Sequence, residues 1–143
     1  MVDPVMFSRK SDEWGTPQEL FDELDVEFHF TLDPCAMPRR HLTPESYHSP
    51  TGLLLPWKGR VFVNPPYSAI GEWVKKAVDE VGKGNAELVV FLVPARTDTR
   101  WFHEYFYRKS NVEIRFLKGR LRFEGGKTGA PFPSMVVVIR GMG

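Results

Sequence analysis

"RVFVNPPYSAIGEWV", residues 60–74, joins an apolar run to a helical pattern through two consecutive prolines. Val61, Phe62 and Val63 favour a pleated apolar environment and predict a buried strand. Pro65 and Pro66 cannot donate to a sheet ladder, so the strand stops at Asn64. Beyond them Trp73, Val74, Ala77, Val78 and Val81 recur at helical spacing, which predicts an amphipathic helix over 71–81. Asn64 is left with a carboxamide and no obvious partner. The segment reads either as a Pro-rich turn with Tyr67 packed against the domain, or as a rigid cradle for a substrate.

Downstream, "GKGN" stops the helix and "ELVVFLVP" (87–94) reads as a buried parallel strand. Asp98 is the expected cap of a helix running to about Lys109. "VEIRFL" (112–117), "LRF" (121–123) and "MVVVIR" (135–140) read as strands, with "EGGKTGAPFP" (124–133) a mobile loop. Upstream, "TPQEL" (16–20) is a helix entry: Thr16 as N-cap, Pro17 as first helical residue, Glu19 closing a capping box. Leu20, Phe21 and Leu24 give that helix its apolar face. "FHFTLD" (28–33) alternates Phe28, Phe30 and Leu32 inward and predicts a strand ending in Asp33. Residues 34–58 read as irregular, with room for a short helical turn or strand. Alternating strands and helices followed by clustered strands predict a three-layer α/β domain. Its sheet is mixed and mostly parallel, with an antiparallel C-terminal strand pair.

A chain of 143 residues makes about one domain. No stretch approaches the ~18 apolar residues of a membrane span, and "MVDPVMFSRKSDEW" lacks the apolar run of a secretory signal. Cys35 is the single cysteine, which excludes an internal disulfide and a cysteine-based metal cluster. The simplest location is the cytoplasm. The net charge of +1 hides an asymmetry. Acidic residues crowd the first third, whereas Arg96, Arg100, Arg108, Lys109, Arg115, Lys118, Arg120, Arg122 and Lys127 gather later. That half either meets a polyanion or is simply solvated.

In sheets of this kind ligands sit beyond the carboxyl ends of the parallel strands. Three predicted strand ends carry polar chemistry: Asp33-Pro34, Asn64-Pro65-Pro66-Tyr67, and Pro94-Ala95-Arg96-Thr97-Asp98. No phosphate-cradling glycine pattern and no metal-ligand spacing accompanies them, and His29, His41, His48 and His103 are scattered.

Asn-Pro-Pro-Tyr resembles the signature of amino-group methyltransferases that use S-adenosylmethionine. "DEWGTPQELFDEL", "FTLDPCA", "GRVFVNPPYS", "VPARTDTRWFH" and "GRLRFEGG…APFPSMVVVI" resemble, in order, blocks of the phage DNA N-6-adenine methyltransferase (Dam-like) family. The resemblance covers most of residues 12–140. It implies a single Rossmann-like methyltransferase domain over 12–143, preceded by a flexible stretch 1–11. It also implies a metal-free methyl transfer from S-adenosylmethionine to an adenine extruded from double-stranded DNA.

The chemistry explains the motif. An exocyclic amine is a poor nucleophile because its lone pair is delocalised into the ring. The Asn64 side-chain oxygen and the Pro65 carbonyl can accept both amino hydrogens, with Pro66 stiffening the turn and Tyr67 stacking on the base. By the same resemblance Asp33 faces the cationic methionine part of the cofactor, and Trp14, Thr16 and Pro17 close over it. Leu53 and Trp57 either border the adenosine pocket or pack in the core. Arg96 and Arg100 either meet DNA or are solvated. Lys127 and Phe132 belong to a loop that closes on substrate, and Phe123 either touches the base or packs in its strand. Cytosine N4, RNA or a protein glutamine are alternative substrates of such a cradle, and a degenerate nucleic-acid-binding module is the non-enzymatic alternative. Nothing in the sequence sets an oligomeric state.

Overall fold

Phe21, Leu24 and Phe28 lie on one face of α1 (Gln18–Phe28), and their burial fixes the helix to the sheet. In this computed structural model, which describes residues 14–126 and 128–142, α1 starts one residue later than expected. Pro17 is the N-cap, its carbonyl accepting the Phe21 amide at 3.0 Å, and no side chain caps the helix. The Thr16–Glu19 capping box is therefore not formed, because the Thr16 hydroxyl is engaged by Asn64. The expected flexible stretch 1–11 and Lys127 lie outside the described residues.

The helix ends where His29 turns left-handed, at φ 52°, and the Asp25 carboxylate takes the Phe30 amide at 2.8 Å. Phe28, Phe30 and Leu32 are all buried, as their spacing predicts. They belong to a helix end, a connector and a strand start, however, and not to one strand. The strand β1 covers Leu32–Ala36, which places Asp33 inside it instead of at its end. The stretch 34–58 contributes β2 (Glu45–His48) and a short turn of helix at Thr51–Leu53.

β3 (Gly59–Val63), α2 (Ile70–Gly82) and β4 (Ala86–Pro94) follow the pattern of their apolar residues. β5 (Val112–Phe116) and β6 (Ser134–Arg140) complete a six-stranded sheet of order β2-β1-β3-β4-β6-β5. The β1–β2, β1–β3 and β3–β4 pairs are parallel, and β6 runs antiparallel to both β4 and β5. Two expectations fail. "LRF" is not a strand, and Asp98 caps nothing. The Thr99 hydroxyl accepts the Phe102 amide at 3.3 Å instead, opening a wide helical turn over Phe102–Phe106 that stops well short of Lys109.

β3 and β4 read as continuous apolar runs because both sides of the sheet are covered. Val61, Val63, Val89, Phe91 and Val93 pack with Trp73, Val74 and Ala77 of α2. Phe62, Val90 and Leu92 pack with Phe21, Leu24 and Phe28 of α1. Each such side chain contributes about 1.5–3 kcal/mol on full burial. Among the described residues no helix is long and apolar enough to cross a membrane.

The register brings the carboxyl ends of β3, β4 and β5 to one edge. Met135 pairs with both Val93 and Phe116, and Ser134 lies opposite Pro94. Asn64, Pro65 and Pro66 leave β3 at that edge.

Candidate active site

The strand places Asn64 with its backbone fixed and its side chain half-buried. Its carboxamide nitrogen donates to the Trp14 carbonyl and, at 3.0 Å, to the Thr16 hydroxyl. Both amide hydrogens are thereby used. The carboxamide oxygen is buried and accepts no hydrogen bond from the described residues. Turning the amide over would set its oxygen against the Trp14 carbonyl, acceptor against acceptor, so the clamp fixes which end is left without a partner. An unpaired buried acceptor costs about 1–3 kcal/mol unless something donates to it.

The two prolines divide their roles. The Pro66 carbonyl accepts the Ala69 amide at 3.0 Å and starts the turn into α2. Pro65, between Asn64 and Pro66, is buried.

Beside the cradle the rings of Trp14, Tyr67, Phe123 and Phe132 cluster. Trp14 and Tyr67 stack at 6.3 Å between centroids, tilted by 19°. Phe132 stands edge-on to both, at 5.2 and 5.4 Å, and Phe123 stands edge-on to Trp14 at 5.3 Å. The Tyr67 hydroxyl is buried without a hydrogen-bond partner among the described residues, and burial raises its pKa against the opposing charge of Arg96. Gly15 joins the chain segments of this cluster: its carbonyl accepts the Glu124 amide at 2.9 Å. A Cβ there would meet the Glu124 side chain at 2.9 Å.

A cavity opens next to Asn64, lined among others by Trp14, Thr16, Asp33, Arg40, His48 and Pro66. Asp33 is 4% exposed, and one of its carboxylate oxygens accepts the Cys35 amide at 3.0 Å. Burial pushes its pKa up to about 7, against the pull of that amide and of the charges on Arg40 and His48. A buried carboxylate so poorly compensated is suited to a cationic ligand group. Arg40 donates to the Thr16 carbonyl at 2.5 Å, and His48 Nδ1 lies 3.0 Å from the Ala36 carbonyl. The sequence offered no periodicity to single out Arg40 or His48, only a Pro- and Arg-rich turn.

Not every expected residue arrives. Thr16 lines the cavity, whereas Pro17 and Leu53 do not. Leu53 packs against the α2-side core, and Trp57 is wholly buried there, donating to the Gly52 carbonyl at 2.7 Å. Arg96 is exposed and near enough to act on Tyr67, whereas Arg100 is paired with Glu104 at 3.2 Å. Lys127 lies outside the described residues. Among the described residues no group of three His, Cys, Asp or Glu side chains is arranged to hold a metal.

The profile of the DNA N-6-adenine-methyltransferase (Dam) family matches residues 6–141. The chain belongs to this family. Its relatives include the DNA N-6-adenine-methyltransferase of Escherichia phage T1, to which it is 31% identical over 137 residues. The alignment covers 82% of this chain and 56% of the phage T1 protein, so the chain spans little more than half that relative's length. Within the Dam family frame, the cradle, the aromatic cluster and Asp33 fall on the blocks that carried the resemblance, whereas Arg40 and His48 of the cavity lie outside them.

Proposed function

We propose that this chain is a Rossmann-like, three-layer S-adenosylmethionine-dependent methyltransferase domain acting on N6 of an adenine extruded from duplex DNA. The observation that carries the reading is Asn64: both amide hydrogens are held and its oxygen is buried and unpaired. Such an oxygen needs a donor, and an exocyclic amine supplies one. The Pro65 carbonyl takes the second amino hydrogen, and Pro66 keeps that carbonyl aimed. Two acceptors on one amine localise its lone pair on nitrogen. Tyr67 stacks on the base, with Trp14, Phe123 and Phe132 walling it in. Base–aromatic stacking is worth about 1–3 kcal/mol per base, which offsets the few kcal/mol of unstacking an adenine.

S-adenosylmethionine, when bound, supplies an electrophilic methyl group. The cavity residues fit it: Asp33 would receive its ammonium, with Trp14 and Thr16 at the border shared with Asn64. The remaining task of the protein is to bring amine and methyl into line and exclude water. The decisive experiment incubates the chain with labelled S-adenosylmethionine and unmethylated duplex DNA, RNA and bulk protein in parallel, then identifies the modified residue. N6-methyladenine in DNA supports the reading. Label confined to N4-methylcytosine, RNA or protein overturns it.

A further inference from the structure

We infer that the segment Phe116–Arg122 is the track on which the phosphate backbone of duplex DNA rests, an inference that rests on the function proposed above. The segment leaves β5 at the same sheet edge as the cradle, with the Leu117 amide donating to the Ser134 carbonyl at 3.1 Å. From there its side chains divide. Leu117, Leu121 and Phe123 turn inward to the cluster beneath α1, while Lys118, Arg120 and Arg122 are exposed. Gly119, at φ 76°, provides the bend between the first of these cations and the others.

These cations differ from most arginines of the sheet body. Arg60, Arg115 and Arg140 pair with Glu87, Glu27 and Glu113, and Arg100 pairs with Glu104. Lys118, Arg120 and Arg122 have no carboxylate partner among the described residues. They alternate along an exposed segment, a spacing that fits a linear polyanion better than a single small anion. The segment that carries them runs directly into Phe123, whose ring belongs to the aromatic cluster. The Leu121 carbonyl accepts the Ala130 amide at 2.8 Å, tying the track to the loop that carries Phe132. A backbone lying along the cations therefore delivers its bases toward Tyr67. Phe116, 64% exposed at the head of the track, adds an apolar face of the kind that leans on base steps.

The test is the salt dependence of binding, measured by fluorescence anisotropy on a labelled duplex between 50 and 200 mM NaCl. Each phosphate contact contributes about 0.9 to the slope of log K against log salt. The triple variant K118Q/R120Q/R122Q is expected to lose about 3 from that slope, with cofactor binding and thermal midpoint unchanged. Phe116→Ala weakens binding with the slope intact, and Arg100→Gln leaves both unchanged. A triple variant with the wild-type slope, in a protein that methylates adenine, overturns the track and leaves the function standing. If the wild type binds duplex and the variant loses the slope, yet no methyl reaches DNA, the function falls and the track stands. A wild type that does not bind duplex overturns both.

Discussion

The two edges of the sheet are built on opposite rules. Where β3 and β4 begin, and along the outer strand β5, charges are matched. Arg60 meets Glu87 at 3.2 Å, and Arg115 bridges Glu27 at 2.6 Å and Glu113 at 2.5 Å. Glu80, 3% exposed, is held by Lys76 at 2.7 Å and Asn85 at 2.8 Å. At the edge where β3 and β4 end, polar groups are left open: the Asn64 oxygen, the Tyr67 hydroxyl and the Ser134 hydroxyl are buried and unpaired among the described residues. Asp33 joins them as a buried carboxylate whose own surroundings favour its proton. One edge spends its polar groups on the fold, and the other keeps them for a ligand.

The contrast breaks most sharply at Asn64. Asn64→Ala should lower kcat for methyl transfer by about 10²–10³-fold, the usual cost of one preorganised electrostatic contact, with a near-normal melting temperature. Rapid transfer by the variant would remove Asn64 from the chemistry.

Asp33 gives the next largest effect, and its sign differs from that of a paired carboxylate. Burial holds its pKa at about 7, above the value of 3.8 expected in the unfolded chain. Its contribution to the stability of the ligand-free fold is therefore full below about pH 4 and lost as pH rises toward 7. A cationic cofactor prefers the ionised form, so affinity for S-adenosylmethionine should rise up to about tenfold per pH unit below 7 and level off above it. Calorimetry across pH 5.5–8 checks this, and Asp33→Asn should flatten the profile. A flat wild-type profile would detach Asp33 from the cationic group.

Thr16→Val removes one hydrogen bond from the Asn64 amide and should cut kcat about fivefold, the worth of roughly 1 kcal/mol. Thr16→Ser should restore the rate. A changed cofactor affinity with unchanged kcat would instead make Thr16 a binding residue. On the outer strand β5, Arg115→Ala should cost about 1 kcal/mol in denaturant unfolding at low salt and leave methyl transfer alone. The smallest effect belongs to Ser134→Ala. Removing an unpaired buried hydroxyl should shift stability by less than about 0.5 kcal/mol, in the stabilising direction, with activity unchanged. A large activity loss there would show that Ser134, too, is reserved for the substrate.

The parts of this site that were legible in the sequence are those written in consecutive residues. Val61–Val63 followed by two prolines forces a strand to end on Asn64, and the Trp73–Val81 spacing forces a helix after it. The partners of Asn64 were not legible, because the Thr16 hydroxyl comes from a segment where a local role as helix cap had equal claim. The same ambiguity misled the "FHFTLD" reading. Burial at alternate positions looks like a strand, yet an Asp25 side chain that captures the Phe30 amide lets a helix end and a connector bury the same residues. "LRF" alternates because Arg122 faces solvent between Leu121 and Phe123, without a ladder partner to make it a strand. Asp98 lost the cap to Thr99 by one position, a difference that sequence propensity does not resolve.

The bond from the Glu124 amide to the Gly15 carbonyl, at 2.9 Å, has a use beyond packing. It joins the chain segments that carry Trp14 and Phe123, so parting these segments to admit a base strains or breaks it. The Glu124 amide is then a clock. Its hydrogen-exchange rate counts how often the ring cluster opens in the free protein, and its slowing on substrate addition counts how long it stays shut.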